Sequence, residues 1–109
     1  MDNREIDKLI AEKVMGWFPL TDANRMNWWA PSVEELPIWL KLQKNFRPST
    51  DIKDAWLVVE KFEYHKVEND AGWYYCTLAN HNTKFFDGDD DKAPIAICKA
   101  ALKAVGVEV

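Results

Sequence analysis

Two cysteines and two histidines are the first candidates for chemistry in this sequence of 109 residues. A hydrolase would need a thiol or hydroxyl such as that of Cys76 or Ser49 in hydrogen-bond contact with His65 or His81, and spacing along the chain does not establish such a pair. Cys76 and Cys98 show neither a Cys-x-x-Cys spacing nor a neighbouring pair of histidines, so no zinc or redox motif is indicated. We expect two buried free thiols in a reducing cytosol and no enzymatic activity.

A run of carboxylates between positions 87 and 91, Asp87-Gly88-Asp89-Asp90-Asp91, suggests a cation site. A calcium loop of the EF-hand type needs oxygen ligands at alternating positions, a glycine at the sixth position and a glutamate at the twelfth. Here the glycine is second and the glutamate is missing. The run therefore predicts a solvated turn whose last carboxylates favour the positive end of the following helix, and neither a metal nor a cofactor is expected.

Tryptophan is the most unusual feature, because the chain has six and most of them lie in or beside the segment 18–48. Aromatic rings stack on nucleobases with about 1 to 3 kcal/mol per base, and arginine or lysine binds phosphate. The predicted ligand-binding residues are Trp17, Arg25, Trp28, Trp29, Trp39, Lys41, Arg47 and His81, the last at the tip of a separate loop. The same aromatic cluster is also typical of a pinned loop or a subunit interface, and that alternative stays open.

Composition limits the classes of partner. Apolar residues make up 48% and charged residues 29%, which is typical of a single globular domain over residues 1–109. The net charge of −4 and scattered basic residues disfavour duplex nucleic acid as a partner. No apolar stretch approaches the roughly 20 residues that cross a bilayer, and residues 1–5 lack a signal-peptide core, so we expect no membrane partner and a location in the cytoplasm.

Hydrophobic periodicity predicts three helices. The first has Asp2 as its N-cap and ends at Gly16, the second follows the capping cluster 49–51, and the third runs from Pro94 to Gly106. The apolar faces of these helices predict the core residues Ile6, Leu9, Ile10, Trp56, Val59, Ile95, Cys98 and Leu102.

Strands are predicted between the second and third helices. Residues 63–67 and 73–79 are expected to pair as a hairpin around the turn 69–72, followed by a short third strand at 83–86. The proline-rich segment 18–48 predicts a long irregular arm with one short strand at 38–42. The predicted fold is α/β (α+β): a three-layer α-β-α sandwich with helices on both sides of a small antiparallel sheet.

Three blocks of the sequence resemble the phage ABA sandwich domain. They are EKVMGW at 12–17, PSTDI running into AWLVVEK at 48–61, and APIAICKAAL at 93–102. The resemblance does not extend over much of the segment 18–48. It implies an α-β-α layered fold and a phage or prophage origin, and it carries no established activity and no catalytic residues.

Together, these features predict a non-enzymatic phage protein that binds and sequesters a nucleotide-derived immune signal of the host. A cyclic ADP-ribose-like molecule or a cyclic nucleotide is the expected ligand, and sequestration would counter antiphage defence in the host cytoplasm. So much aromatic surface on an arm predicts a homo-oligomer. The alternative is an interaction protein that docks on and inhibits a host protein, or a structural or accessory phage protein.

The predicted independence from metal ions is testable on the purified protein. Dialysis against EDTA is expected to leave the melting temperature unchanged, because no set of ligands has the spacing of a metal site. Differential scanning fluorimetry with and without EDTA measures this. A drop of several degrees that calcium or zinc reverses would contradict it.

Overall fold

The computed structural model describes residues 2–16, 46–80 and 84–107, together with the backbone of 18–19, 28–30 and 43–44. Within these residues it has three α-helices, one π-helical turn and six strands. In chain order they are α1 (Asn3–Leu9), the π-helical turn Ile10–Val14, β1 (Phe18–Pro19), β2 (Trp28–Ala30), β3 (Gln43–Lys44), α2 (Ile52–Val59), β4 (Tyr64–Asp70), β5 (Trp73–Ala79), β6 (Phe85–Asp90) and α3 (Ala93–Ala104). Among the described helices, none has the length and apolar character that a membrane span requires.

The first two helices begin at the predicted caps. The carboxylate of Asp2 accepts a hydrogen bond from the amide of Glu5 at 2.9 Å, and that of Asp51 accepts one from the amide of Lys53 at 2.9 Å. Each bond satisfies an amide that has no partner within its own helix. Pro94 lies in the first turn of α3, where its missing N–H costs nothing.

Strands β4 and β5 form the predicted hairpin. Their register runs from Tyr64 opposite Ala79 to Asp70 opposite Trp73. The two residues between them, Ala71 and Gly72, have φ angles of 53° and 88°. Two successive positive φ angles are those of a type I′ turn, whose twist matches that of the flanking strands.

The prediction of a solvated turn at the acidic run 87–91 is wrong, because most of the run belongs to strand β6. Instead of ending at residue 86 before a solvated turn, the strand continues to Asp90 and pairs along its whole length with β5. Gly88 is its closest point to α3: a Cβ there would clash with the carbonyl oxygen of Ala96 and lie 2.5 Å from the amide nitrogen of Ala100. Aspartate and glycine are depleted in strands, so the composition concealed a strand that tertiary packing stabilises.

Helix α3 is the centre of the core. It contacts β5 and β6 as well as α2 and the π-helical turn. The predicted core is confirmed at Ile6, Ile10, Val59, Cys98 and Leu102, which are buried, while Leu9 and Ile95 are partly buried against the same cluster. The fold class is confirmed as mixed α/β: the chain combines α-helices with a small three-stranded antiparallel sheet of order β4-β5-β6. Among the described helices, α3 packs directly on this sheet, and α2 packs on α3.

Trp56 was predicted to lie in the core, and that prediction is wrong. Its side chain is 43% exposed, and its ring meets the edge of the His65 ring at a centroid distance of 5.3 Å. The buried face of α2 consists of Ala55, Val58 and Val59. Trp56 therefore lies at the border of that face, a position that helical spacing alone does not separate from the centre.

The segment 18–48 contains a second small sheet. Strand β2 pairs antiparallel with β1 on one side and with β3 on the other. Each of these strands has only two or three residues, which is too short to show an alternating pattern in sequence. The strand predicted at 38–42 lies outside the described residues.

The close approach at Gly88 generates a prediction about stability. Gly88→Ala should lower the free energy of unfolding by about 3 kcal/mol or more, because the methyl group would overlap backbone atoms of α3 that cannot move independently. Urea denaturation measures the change. The matched control is Gly72→Ala, where a Cβ meets no atom within 4 Å and only the positive φ is unfavourable, at about 1 to 2 kcal/mol. Equal losses in the two variants would contradict the role of the backbone contact.

Candidate functional site

An open polar cleft lies at the N-terminal end of α3. Its volume is about 680 Å³, and three separate parts of the chain line it: the start of α1, the turn before α2, and the junction between β6 and α3. The lining residues are Asn3, Ile6, Ser49, Thr50, Asp90, Asp91, Lys92, Pro94, Ile95 and Lys99.

The turn before α2 is closed by its own backbone. The carbonyl oxygen of Arg47 accepts hydrogen bonds from the amides of Thr50 at 3.1 Å and Asp51 at 2.8 Å. The amide of Arg47 donates to the Asp54 carboxylate at 2.8 Å, which joins the turn to the first turn of α2. The position of Thr50 at the cleft is thus fixed by local contacts.

Ser49 fastens the same turn to α1. Its amide donates to the carboxylate of Asp7 at 2.8 Å, and its hydroxyl donates to the carbonyl oxygen of Asn3 at 3.4 Å. Ser49 is only 1% exposed. Burial raises the pKa of Asp7, although the hydrogen bonds from Ser49 and the charge of Arg47 act in the opposite direction. Asp7 is therefore a half-buried acceptor that the turn requires in order to satisfy the Ser49 amide.

The opposite wall is a charged network at the junction of β6 and α3. Lys99 Nζ lies 3.2 Å from Asp90 Oδ1 and donates to the carbonyl oxygen of Asp89 at the same distance. The amide of Lys92 donates to the second carboxylate oxygen of Asp90 at 3.1 Å. Burial alone would raise the pKa of Asp90, but its side-chain contact with Asp91 and the hydrogen bonds donated by Lys99 and the Lys92 amide outweigh burial and lower that pKa. Asp90 is consequently ionised at neutral pH and holds Lys99 in place.

The cleft thus presents hydroxyl, amide, carboxylate and ammonium groups around the first turn of a helix. The first amides of a helix have no partner within the helix and carry partial positive charge, which favours anions. Pro94 and Ile95 add apolar surface. This set can hydrogen-bond and neutralise a polar ligand of moderate size.

The two thiols do not contribute to this site. Cys76 and Cys98 are 1% and 0% exposed, as the sequence predicted, and neither forms a disulfide. Burial, with a smaller effect of the Asp87 charge, raises the pKa of Cys76 to about 12, and burial also raises the pKa of Cys98. At neutral pH both thiols are protonated and out of reach of a substrate.

The nucleophile and base considered from the sequence are not brought together among the residues described. Ser49 bonds to Asp7 and Asn3, whereas the His65 ring packs against Trp56. Within the same residues, no group of three potential metal ligands forms a cluster. His81, the other histidine considered, lies outside the described residues.

Most of the predicted ligand-binding residues cannot be compared with this cleft. Those outside the described residues are Trp17, Arg25, Trp39, Lys41 and His81. Trp28 and Trp29 lie in β2, where their backbones pair with Lys44 and Gln43. Arg47 is exposed and begins the turn that borders the cleft.

The cleft itself was missed by the sequence reasoning. Ser49 was considered as part of a helix cap and as a nucleophile, Thr50 only as part of the cap, and Lys92 and Lys99 were not singled out. The available signal was weak: two hydroxyls before α2, and a run of carboxylates followed by lysine and proline at the start of α3.

Two substitutions at Asp7 separate its charge from its hydrogen bond. Asp7→Ala should destabilise the protein by about 1 to 3 kcal/mol, because the buried Ser49 amide loses its acceptor. Asp7→Asn keeps an acceptor and should leave stability at pH 7 unchanged or higher, since it removes a partly buried charge. Chemical denaturation at pH 7 measures both.

The contribution of Asp7 to the free energy of unfolding depends on pH with a defined sign. Because the folded-state pKa of Asp7 is raised above its ordinary value of 3.8, its contribution to stability falls as pH rises through the window above that value. The difference in stability between the wild type and Asp7→Asn should therefore change in that window and stay constant at higher pH. A difference that grows in favour of the wild type with rising pH would contradict the burial of this carboxylate.

Comparison with known proteins places this chain among phage proteins. It is similar to a phage protein from Bacillus cereus of known crystal structure, with 29% sequence identity and a TM-score of 0.72 over 100% of this chain and 92% of that chain. No curated protein matches the sequence. The phage ABA sandwich domain matches residues 8–102, from the end of α1 to the last part of α3. The chain therefore belongs to the phage ABA sandwich domain family.

Proposed function

We propose that this phage protein binds a nucleotide-derived immune signal of its host and sequesters it without converting it. A cyclic ADP-ribose-like molecule or a cyclic nucleotide is the proposed ligand, and its removal would counter antiphage defence. The observation that supports binding is the polar cleft at the start of α3. Its volume of about 680 Å³ lies within the roughly 300 to 1,000 Å³ that ligand sites occupy.

The groups of the cleft complement the parts of a phosphorylated ribonucleoside. Lys92 and the first turn of α3 suit a phosphate, because both present positive charge and N–H donors. The carboxylates of Asp90 and Asp91 suit ribose hydroxyls, which donate hydrogen bonds. The apolar surface of Pro94 and Ile95 suits the face of a base.

Charge balance favours such a ligand over a simple anion. Two carboxylates and two lysines line the cleft, so their formal charges cancel. Lys99 is already engaged by Asp90. A ligand that offers several hydroxyl donors as well as phosphate can use all of these groups, whereas the negative charge of a free phosphate would meet the two carboxylates with only Lys92 to balance it.

The chemistry of the described residues supports binding in preference to catalysis. The two thiols are buried and protonated, and the Ser49 hydroxyl donates to a backbone carbonyl. Asp90 is ionised by its contacts, so it is a poor proton donor at neutral pH. A protein with these properties would act by mass action, which requires tight binding and an abundance comparable to that of the signal.

Location in the host cytoplasm and assembly as a homo-oligomer belong to the same proposal. A host signal must be met where it is made, and the number of tryptophans in and beside the segment 18–48 motivates the proposed assembly. Sedimentation equilibrium at several protein concentrations tests the oligomer. A single monomeric species at all concentrations would remove that part of the proposal.

The binding itself is tested by titrating the purified protein with cyclic ADP-ribose, ADP-ribose and cyclic mononucleotides. A bound ligand should raise the melting temperature in proportion to the logarithm of its concentration. Lys92→Ala should weaken binding at least tenfold, which corresponds to about 1.4 kcal/mol, because phosphate loses its cation. Isothermal titration calorimetry measures the affinity.

The matched control is Lys103→Ala, which removes an exposed lysine from the other end of the same helix and should leave affinity unchanged. Arg47→Ala and Trp28→Ala test the site predicted from the sequence. If they weaken binding and Lys92→Ala does not, the ligand binds at the segment 18–48 instead of the cleft. Ligand that is recovered unaltered after heat denaturation supports sequestration, whereas recovery of a converted product would show an enzyme. The absence of a thermal shift at millimolar ligand concentration would refute nucleotide binding.

A further inference from the structure

The sheet β4-β5-β6 has one face packed on α3 and another on which no described helix packs. Alternate residues of a strand point to opposite faces, and Cys76, Leu78 and Gly88 are buried on the side of α3. The residues between them, with their partners on β4, form what we call the outer face. Its members are Tyr64, Lys66, Glu68, Asp70, Trp73, Tyr75, Thr77, Phe85, Asp87 and Asp89.

Large aromatic side chains lie exposed on the outer face. Tyr64, Trp73, Tyr75 and Phe85 are each between 42% and 58% exposed. The rings of Tyr64 and Phe85 meet edge to face at a centroid distance of 5.6 Å. Trp73 and Tyr75 lie at one end of this face, and Tyr64 and Phe85 lie at the other. Several exposed aromatic rings on one sheet face mark an interaction surface, and tryptophan and tyrosine are among the residues most often found at the energetic centre of interfaces.

Two carboxylates of β6 are held in fixed positions among these rings. The indole Nε1–H of Trp73 donates to the carboxylate of Asp89 at 2.9 Å, and the hydroxyl of Thr77 donates to that of Asp87 at 2.7 Å. Each contact uses one carboxylate oxygen, and a carboxylate can accept several hydrogen bonds. Because the two aspartates are two positions apart on one strand, their side chains lie about 7 Å apart on the same face.

The charges of the outer face indicate which kind of partner can bind to it. Lys66 pairs with Glu68 at 2.9 Å, which leaves Asp70, Asp87 and Asp89 as net negative charge. A second copy packed on this face would bring the same negative charges together, which is unfavourable across an interface. A cationic partner suits both the exposed aromatic rings and the negative charge of this face. A guanidinium group stacks on aromatic rings and forms paired hydrogen bonds with a carboxylate.

We propose that the outer face binds an extended, arginine-bearing segment of a partner protein. In an extended segment, alternate side chains repeat at about 7 Å, which matches the spacing of Asp87 and Asp89. Successive arginines on one side of that segment would meet these carboxylates, while Trp73, Tyr75 and Phe85 pack on their planar faces. This surface is separate from the cleft, which lies on the other side of β6 where Asp90 contacts α3.

The test uses the full chain and a fluorescein-labelled peptide of sequence Thr-Arg-Thr-Arg-Thr-Arg-Thr, with a peptide that has glutamate in place of arginine as comparison. Fluorescence anisotropy should show the arginine peptide binding at least tenfold more tightly, and the affinity should fall as salt is added. In ¹H–¹⁵N spectra, the indole N–H signal of Trp73 should shift on binding, because its acceptor Asp89 gains a cation.

The decisive variant is the double substitution Asp87→Asn with Asp89→Asn. Asparagine keeps an oxygen acceptor for Thr77 and Trp73, so the sheet is preserved while two charges are removed, and affinity for the arginine peptide should fall at least tenfold. The matched control is Glu60→Gln, which removes an exposed carboxylate at the end of α2 and should not change the affinity.

Several outcomes would overturn the proposal. Equal binding of the two peptides, no detectable binding, or an equal loss in the Glu60→Gln variant would show that the face does not select arginine. A change of oligomeric state in the double variant without a change in peptide affinity would assign the face to a second copy of this chain. The Lys92→Ala variant should bind the arginine peptide as the wild type does. The peptide test of the outer face is therefore independent of the nucleotide test of the cleft, and either proposal can fail without the other.

Discussion

The contact between Gly88 and the turn Ala96–Ala100 of α3 is the constraint on which the rest of the structure depends. Any side chain at Gly88 would overlap backbone atoms of α3, and alanine at 96 and 100 keeps the helix surface flat at that point. Close approach of strand and helix buries α3 against the sheet, and α2 and the π-helical turn pack on α3 in turn. Gly88 thus sets the distance between the sheet and the helical part of the core.

The same contact divides β6 into two chemical faces. Asp90 shares the face of Gly88 and meets Lys99, which belongs to the turn of α3 that Gly88 contacts, so it stabilises the wall of the cleft. Asp87 and Asp89 point to the other side, where Thr77 and Trp73 hold them. One short acidic strand therefore supplies carboxylates to two unrelated surfaces, and the alternation of a strand is what separates them.

Local signals predicted much of the fold, and longer-range contacts account for what they missed. The caps at Asp2 and Asp51 and the turn at Ala71-Gly72 are decided by neighbouring residues, so the sequence was sufficient for them. Strand β6 is stabilised by β5 and α3, and its composition of aspartate and glycine argues against a strand when taken alone. The cleft was beyond sequence reasoning for the same reason: Ser49 reaches Asp7 across 42 positions of the chain. No local pattern encodes that hydrogen bond.

Asp89 shows how the cleft and the outer face can share an element and remain chemically separable. Its backbone carbonyl accepts a hydrogen bond from Lys99 on the cleft side, whereas its carboxylate accepts one from Trp73 on the outer face. A change of side chain charge at Asp89 leaves the carbonyl in place, because the strand pairing with Tyr75 fixes the backbone. The cleft wall depends on main-chain geometry and on Asp90, while the outer face depends on side chains alone. For this reason, a ligand at the cleft and a cationic segment on the outer face can bind without competing for the same atoms.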